Sequence, residues 1–243
     1  MKPVLVTLAL WSAVLPRPAA AQDQDYLSLK WWHPLVASAG IAATFLLDQP
    51  VHDFMRDHQG ATATDVADVA KTFHEAEGTL AISGAAMAVG LVARNMEIAQ
   101  TGVQVLTSYA LTSGMMIATK WAFGRSRPNA TPDDNTQFDW FNGTENSAFP
   151  SGAAVVTFSL ATTLADAIGH PAATIVLYSG ATLNAWARVY ADRHWFSDVA
   201  LGALYGITAA KLVNGHWRVF GLKPPTAGID EFGRAMLRFD VAW

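Results

Sequence analysis

The sequence predicts an all-α fold, a bundle of six helices that is embedded in a membrane or associated with one. Hydrophobic residues make up 51% of the 243 residues and charged residues only 15%, well below the roughly 25% of an average soluble domain. The apolar residues are also gathered in six runs of helical length. In these runs Val, Ile and Leu are mixed with Ala, Gly, Ser and Thr, which allow helices to approach closely.

The six runs lie between residues 34 and 213. The fourth begins after Pro150-Ser151 and ends at Gly169-His170-Pro171, which are good helix start and stop signals. Most runs are shorter than the ~20 residues that cross a bilayer comfortably, so the sequence leaves open how many of them cross. The runs are Pro34–Leu47, Thr79–Ala93, Val103–Thr119, Ala153–Ile168, Ala172–Ala187 and Asp198–Val213.

The N-terminus predicts a signal peptide over residues 1–21. Lys2 precedes an apolar run from Pro3 to Leu15, and Ala19-Ala20-Ala21 supplies small residues before the cleavage point, as in secretory signals. A membrane anchor that stays attached is the alternative. In either case we expect the chain to be exported to or across a membrane.

Polar segments divide the rest of the chain. We expect an N-terminal segment at 22–33, a helical domain at 34–214 and a C-terminal tail at 215–243. The polar region at 48–77 predicts a short helix or loop over one end of the bundle. A second polar region, at 129–146, lies between two of the motifs described below, so we expect it to cover a site. The tail ends with alternating apolar residues, the period of a short strand.

Charge and cysteine content exclude several classes of function. The net charge is −4, and no basic stripe indicates a nucleic-acid partner. The chain has no cysteine, which removes disulfides, thiolate nucleophiles and thiolate metal ligands.

Three short stretches carry groups suited to binding an anion, and the first has the form K-x6-R-P. Lys120 and Arg127 supply two cations, and the guanidinium can contact a phosphate with two parallel hydrogen bonds. A basic helix end that interacts with the helix dipole or with lipid headgroups is the alternative for this stretch taken alone.

The second stretch, Pro150-Ser151-Gly152, opens a predicted helix. Helix N-termini offer unpaired amides and a partial positive charge, which suit a phosphate. Gly152 lets a ligand approach the backbone, and Ser151 can cap the helix or donate to a phosphate oxygen. A simple helix cap is the alternative.

The third stretch has the form R-x5-H-x3-D. His194 and Asp198 are four residues apart, one turn if this segment is helical. Asp198 could then accept the imidazole Nδ1–H and leave Nε2 free to attack, although a plain surface pair is the alternative. Arg188 adds another phosphate donor.

The order and internal spacing of the three stretches resemble the type 2 phosphatidic acid phosphatase superfamily, which also contains the vanadium haloperoxidases. The resemblance implies a six-helix bundle and a metal-independent, cofactor-free phosphatase that acts on a lipid-linked phosphate or diphosphate. It implies that His194 forms a phosphohistidine and that Asp198 orients it. The implied phosphate-binding groups are Lys120, Arg127, Arg188 and the amides of Ser151 and Gly152.

Position 153 departs from the family pattern. The family places there a histidine that protonates the leaving oxygen, and this chain has Ala153. Positioned general acids contribute roughly 10²–10⁴-fold to a rate, so the activity is expected to be reduced. Three interpretations remain open. Ala153 is an engineered substitution that disables an ordinary enzyme, or a natural change in a chain that acts on diphosphates or takes the proton from water, or the mark of a chain that binds phosphorylated lipid without turnover.

The alternatives to a phosphatase are a vanadate-dependent haloperoxidase-like enzyme and a non-catalytic phospholipid-binding membrane protein. Ala153 weakens the first, because the absent histidine also serves peroxide chemistry. The expected partners are a phosphorylated lipid and a membrane. We expect the protein at a bacterial-type inner membrane or in the periplasm, with the site facing the periplasm. The sequence determines neither the particular lipid nor the oligomeric state.

Overall fold

A computed structural model describes residues 26–71, 76–142, 147–222, 224–230, 232 and 234–238. The predicted signal peptide at 1–21 lies outside these residues. The described part is mainly helical, which confirms the predicted fold class, and each predicted run is helical over nearly its whole length. The helices are α1 (Trp32–Thr44), α2 (Asp48–Asp57), α3 (Ala61–Lys71), α4 (Ala76–Val92), α5 (Met96–Phe123), α6 (Gly152–Ile168), α7 (Pro171–Tyr190) and α8 (Phe196–Val213), with a 3-10 helix at Phe45–Leu47.

Helix α5 is longer at both ends than the apolar run that predicted it. Its N-cap is Asn95, whose side chain accepts hydrogen bonds from the amides of Glu97 and Ile98, the usual way to satisfy the first free amides of a helix. It ends at Gly124, whose φ of 55° places it in the left-handed region that favours glycine. Lys120, the residue after the apolar run, therefore lies in the last turn of this helix.

The predicted limits of α6 are confirmed. Ser151 is the N-cap, and Gly169, with a φ of 64°, ends the helix. His170 caps the next helix, α7, which has Pro171 in its first turn, where proline costs no hydrogen bond.

Helices α6 and α8 form the centre of the bundle and pack with their backbones close together. A Cβ on Gly202 would lie 2.7 Å from the carbonyl oxygen of Ser151, and one on Gly206 would lie 2.6 Å from that of Val155. Both distances are too short for any side chain, so glycine at these two positions allows the contact. Helices α5 and α7 flank this pair, while α4 packs on α5, α3 on α7 and α1 on α8.

The polar region at 48–77 folds as α2 and α3 rather than as a loop. Helix α3 is fastened to α7 by the amide of Asn184, which donates to the carbonyl of Ala70 at 2.7 Å. The hydroxyl of Tyr190 accepts a hydrogen bond from the amide of Gly60 at 3.0 Å. Long-range polar contacts of this kind have no local sequence pattern.

Four short strands form two separate pairs near the ends of the described chain. Strand β1 (Leu27–Leu29) pairs in parallel with β2 (Trp217–Val219), and β3 (Thr226–Ile229) pairs antiparallel with β4 (Ala235–Arg238). The strand predicted at the end of the tail is confirmed by β4 as far as residue 238. Residues 239–243 lie outside the described part.

Much apolar surface lies on the outside of the bundle. Among the described residues, two segments, Trp32–Asp57 and Phe196–Val213, are long and apolar enough to cross a membrane by length and composition. Only 6% of the apolar window in the first is buried. On α7, Ile175 and Val176 are 67% and 69% exposed. Exposed apolar patches of this kind mark surfaces that contact a partner or a membrane.

Candidate active site

The three motif stretches meet at one end of the bundle, where α5 and α7 end and α6 and α8 begin. Lys120 lies in the last turn of α5, and its amine donates to the carbonyl of Ser147. The amide of Ser151, just before α6, donates to the carbonyl of Asp198 in α8 at 2.9 Å. The chain folds this way because the close α6–α8 contact brings the two helix N-termini together.

His194 lies in the turn between α7 and α8 and is buried, with 6% of its surface exposed. Its Nδ1 lies 2.8 Å from the carbonyl oxygen of Ala148 and 3.6 Å from Oδ2 of Asp198. Because a carbonyl oxygen only accepts hydrogen bonds, Nδ1 carries the proton. The neutral ring therefore has its lone pair on Nε2.

His194 and Asp198 do not lie on one helix, which corrects the one-turn relation expected from their spacing. His194 precedes α8, and the pair forms because Asp198 occupies the first turn of that helix. The shorter contact of the ring is with the Ala148 carbonyl, so orientation of the imidazole is shared between a backbone oxygen and the carboxylate.

Burial lowers the pKa of His194 from its ordinary value. The nearby carboxylate of Asp198 opposes this shift, and the charges of Lys120 and Arg127 add to it. The neutral imidazole is the nucleophilic form. The surroundings thus keep the ring neutral at pH values where a free histidine would be largely protonated.

Asp198 is fully buried, and its oxygens are all engaged. Oδ2 accepts from the amide of Trp195 at 2.7 Å, and Oδ1 accepts from Arg125 at 2.8 Å. Its carbonyl accepts the Ser151 amide. That last contact overturns one expectation from the sequence: the Ser151 amide is occupied by Asp198 and cannot contribute to binding a phosphate.

Arg125 is the centre of a buried network that the sequence motifs did not identify. Its guanidinium donates to Asp198, to Oδ2 of Asp48 at 2.6 Å and to the hydroxyl of Ser197 at 2.7 Å. Asp48 in turn accepts the amide of Ser197 at 2.7 Å. Arg125 and both carboxylates are at most 1% exposed. The network fastens the start of α2 to the start of α8, behind the His194–Asp198 pair.

The sequence contained a weak signal for this network. A charge in an apolar protein needs a partner, and Asp48 directly follows an apolar run. Nothing in the sequence indicated that its partner would be Arg125, which is 77 residues away.

Two of the predicted phosphate-binding cations act on His194, and the third lies near one of them. The charges of Lys120 and Arg127 act on the imidazole, and Arg127 is also a near neighbour of Arg188. Nε and Nη2 of Arg188 are buried and have no hydrogen-bond partner among the described residues. Unpaired buried donors are costly, so they mark a place where an anion is expected to bind.

Burial lowers the pKa of Arg127 from its ordinary value, and the nearby charge of Arg193 lowers it further, while that of Asp198 opposes the shift. Arginine nevertheless stays charged in proteins. Arg127 and Arg193 therefore both stay positively charged although they lie close together.

The helix start at 151–153 holds the remaining predicted residues. The Ser151 side chain is fully buried and accepts the amide of Ala154 at 3.4 Å. A Cβ on Gly152 would lie 2.9 Å from Sδ of Met116, so glycine is favoured at this close contact. Ala153 is buried and ends in a methyl group, which has no proton to donate.

A cavity of about 450 Å³ opens beside Arg127. Its lining includes Asn129, Asp139 and Asn142, which belong to the polar region at 129–146. This position agrees with the expectation that the region covers the site. Arg193, the residue before His194, lines the same cavity.

Trp195, the residue after His194, is buried in the core beside the site. It is 1% exposed, and its Nε1 donates to the carbonyl of Ser126 at 3.0 Å. The ring packs against His52 and Arg125. Trp195 therefore serves core packing and is not an interfacial anchor.

A helical bundle in which an imidazole, a carboxylate and three cations converge is the arrangement expected of the phosphatase superfamily named above. The sequence model of the PAP2 superfamily matches residues 101–218. This stretch contains all three motifs, and the match confirms the resemblance.

Individual relatives agree with this family. The chain is 28% identical to the lipid A 1-phosphatase of Porphyromonas gingivalis over 186 residues, which are 76% of this chain and 37% of that protein. It is 26% identical over 123 residues to YbjG of Escherichia coli, named for an undecaprenyl-diphosphatase activity, with 49% of this chain and 61% of that protein covered. The chain thus spans less than two thirds of either relative.

Two solved structures share the fold. LpxE of Aquifex aeolicus is 19% identical and covers 68% of this chain and 92% of its own, with a TM-score of 0.52. The transmembrane PAP2-type phosphatidylglycerolphosphate phosphatase of Bacillus subtilis is 17% identical and covers 76% and 95%, with a TM-score of 0.55. At these identities the likeness establishes the fold alone.

Proposed function

We propose that this protein is a metal-independent phosphatase that hydrolyses a lipid-linked phosphate or diphosphate. The observation that carries the proposal is the buried His194, whose Nδ1 is held by the Ala148 carbonyl and whose ring lies beside the charges of Lys120 and Arg127. A neutral imidazole next to several cations suits attack on a phosphorus atom whose oxygens are negatively charged. The phosphatase names of the relatives support the same reaction.

The reaction has two steps. Nε2 of His194 attacks the phosphorus in line with the leaving oxygen, and an N–P bond forms as the P–O bond breaks. The electron pair of that bond goes to the leaving oxygen. Water then attacks the phosphohistidine, which releases inorganic phosphate and returns the lone pair to Nε2. Asp198 stabilises the positive charge on the ring while it carries the phosphoryl group.

The cations lower the energy of the transition state. Lys120, Arg127 and Arg188 hold the nonbridging oxygens, with the Gly152 amide at the start of α6 as a further donor. Fixed charges aimed at the place where negative charge develops are commonly the largest contribution to such catalysis. The two unpaired nitrogens of Arg188 are available for this role.

Ala153 restricts the substrates that the site handles well. An alkoxide leaving group needs a proton, and a positioned acid contributes roughly 10²–10⁴-fold. A phosphate leaving group is a far weaker base and needs little protonation. The proposed site therefore favours a diphosphate over an alkyl monophosphate.

The proposed substrate places the protein at a membrane. The apolar outer surface and the two segments that could cross a bilayer support this location, as do the lipid substrates named for the relatives. We further propose that residues 1–21 direct export, as the sequence pattern of the N-terminus indicates. We also propose that the site faces the periplasm, the usual arrangement for a site of this kind.

Release of inorganic phosphate in the presence of a metal chelator tests the proposal. We expect release from a panel of lipid phosphates and diphosphates with the wild-type chain, and none with His194→Ala. Ala153→His is expected to raise turnover of monoesters by at least tenfold, within the range for a positioned acid. Turnover that persists in His194→Ala, or that requires a divalent metal, would contradict the mechanism.

A further inference from the structure

We propose that Arg193 forms a second anion-binding subsite beside the phosphate pocket, and that this subsite holds the leaving phosphate of a diphosphate substrate. The inference rests on the proposed function and specifies the substrate class. It is carried by a cavity, by the number of cations around it and by the unpaired polar groups that line it.

The two arginines of the proposed pair of sites line one cavity. Its volume is about 450 Å³, and both Arg127 and Arg193 line it. Arg127 belongs to the proposed phosphate pocket, so an anion bound against Arg193 lies next to one bound in that pocket. A diphosphate, in which two phosphates share one bridging oxygen, has the dimensions for such a pair of neighbouring sites.

The number of cations exceeds what one phosphate requires. Lys120, Arg127 and Arg188 already supply three positive charges to the phosphate pocket. Arg193 is a fourth, and its charge lies close to both Arg127 and Arg188. It forms no ion pair with any acidic side chain of the described chain. Like charges held this close repel each other, and a second anion would offset the repulsion.

Arg125, which also lines the cavity, provides a contrast. It bonds two carboxylates and is fully buried, so its charge is used by the protein itself. Arg193 is exposed at the mouth of the cavity, where a ligand can reach it.

Polar groups complete the lining. The hydroxyl of Ser147, which is 4% exposed, has no hydrogen-bond partner among the described residues. Asn129 also lines the cavity. The carboxylate of Asp139 is there too, and it accepts the side-chain amide of Asn142 at 2.7 Å. Neutral donors predominate around the two arginines.

The backbone on both sides of the cavity is fixed. The amide of Arg193 donates to the carbonyl of Arg188, and the amide of Asn129 donates to that of Asp192, both at 3.1 Å. The loop that carries Arg193 is thereby tied to α7 and to the loop that carries Arg127. A preformed pair of sites needs little reordering to bind.

The subsite also has a chemical role. When Nε2 of His194 takes the terminal phosphoryl group, the bond from that phosphorus to the bridging oxygen breaks. Its electron pair goes to that oxygen, which becomes a terminal oxygen of the lipid monophosphate product. Arg193 would stabilise the charge that develops there. The positive charge of Arg193 would thus stabilise the leaving group in place of the proton that Ala153 cannot supply.

The first experiment compares two substrates that carry the same prenyl chain, a diphosphate and a monophosphate. In Arg193→Gln, kcat/KM for the diphosphate is expected to fall about 10- to 100-fold, the range for one charge-assisted hydrogen bond. The value for the monophosphate is expected to change less than threefold. Arg193→Lys should recover part of the loss, and Arg56→Gln, at an exposed arginine of α2, is the control.

The second experiment measures binding without turnover. Calorimetry with methylenediphosphonate and with inorganic phosphate should show tighter binding of the diphosphonate to the wild-type chain. Arg193→Gln should remove that preference and leave phosphate binding unchanged. Equal weakening of both ligands, or equal loss with both prenyl substrates, would overturn the subsite. A wild-type chain that releases no phosphate would contradict the proposed function, while the diphosphonate preference still decides the subsite.

Discussion

Arg125 and Asp48 are individual residues whose charges are held entirely inside the protein. Breaking a buried pair by removing one partner typically costs about 3–5 kcal/mol, because the other charge stays buried without compensation. Arg125 has two carboxylate partners, Asp48 and Asp198, and Asp198 also contacts the His194 ring. The network therefore links folding stability to the orientation of the proposed nucleophile.

We predict that Asp48→Asn lowers both stability and kcat. The free energy of unfolding should fall by about 3 kcal/mol, the lower end of the range for a broken buried pair. KM should change little, because Asp48 acts through Arg125 and Asp198 and not on the phosphate. Thermal denaturation and steady-state kinetics on the same samples measure these changes.

A matched substitution at the neighbouring Asp53, which is exposed, provides the control. Asp53→Asn should change stability by less than about 0.5 kcal/mol. If Asp48→Asn behaved like Asp53→Asn, or if it changed KM and left kcat intact, the network would not position His194.

The pH dependence of the reaction follows from the pKa of His194. Burial lowers this pKa, and the neutral ring is the active form. Activity attributable to this group is therefore full above its lowered pKa and is lost as the pH falls through it. We predict that the acid limb of the kcat/KM profile lies below pH 6.5, the ordinary value for histidine.

Removing the Asp198 charge tests the sign of this effect. Asp198 raises the pKa of His194, so Asp198→Asn should move the acid limb to lower pH while it reduces kcat. Binding of a diphosphonate inhibitor, measured over the same pH range, shows how much of the profile comes from ionisation of the ligand and how much from the enzyme. An acid limb that moves to higher pH in Asp198→Asn would contradict the assignment.

Among the helices, the contact between α6 and α8 determines the geometry of the site. Gly202 and Gly206 let the two backbones approach, and the same contact brings the Ser151 amide to the Asp198 carbonyl. The apolar runs predicted both helices. The close approach of α6 and α8 depends on which faces of the two helices meet, and no pattern in the sequence indicates those faces.

We predict that Gly202→Ala destabilises the protein. The new Cβ would meet the Ser151 carbonyl at 2.7 Å and the Ala154 Cβ at 2.9 Å, and overpacking typically costs about 1–3 kcal/mol. Phosphate release should fall as well, because the helix starts that carry Ser151 and Asp198 are pushed apart. Thermal denaturation and the phosphate assay measure the two effects.

Gly180→Ala is the matched control. Gly180 lies inside α7, and a Cβ there meets nothing within 4 Å. The substitution should stabilise the helix by up to about 1 kcal/mol, since alanine is the better helix former. A Gly202→Ala protein as stable as Gly180→Ala would show that the α6–α8 contact is looser than described.

The molecule as a whole presents apolar side chains to its surroundings. Ile175 and Val176 on α7 are examples, 67% and 69% exposed. We predict that the protein stays with the membrane fraction after alkaline washing and is released by detergent. An aspartate at the centre of a membrane-spanning helix costs about 2.5–3.5 kcal/mol. Leu46→Asp, at an exposed position in the middle of the segment Trp32–Asp57, should therefore reduce the amount retained.

Val66→Asp provides the comparison, because Val66 is exposed on α3, outside the two segments that could cross a membrane. Its retention should equal that of the wild-type chain. Recovery of the wild-type protein in the wash without detergent would contradict membrane association.

The sequence by itself determined the helices, the three motifs and the missing acid at position 153. Periodicity, caps and short spacings are local properties, and for that reason α6 and the start of α7 could be predicted. Only the tertiary structure decided that Asp48 bonds Arg125, that the Ser151 amide is occupied and that Arg193 shares a cavity with Arg127. Those contacts join residues from separate elements, and they depend on how closely helices pack, which no local pattern encodes.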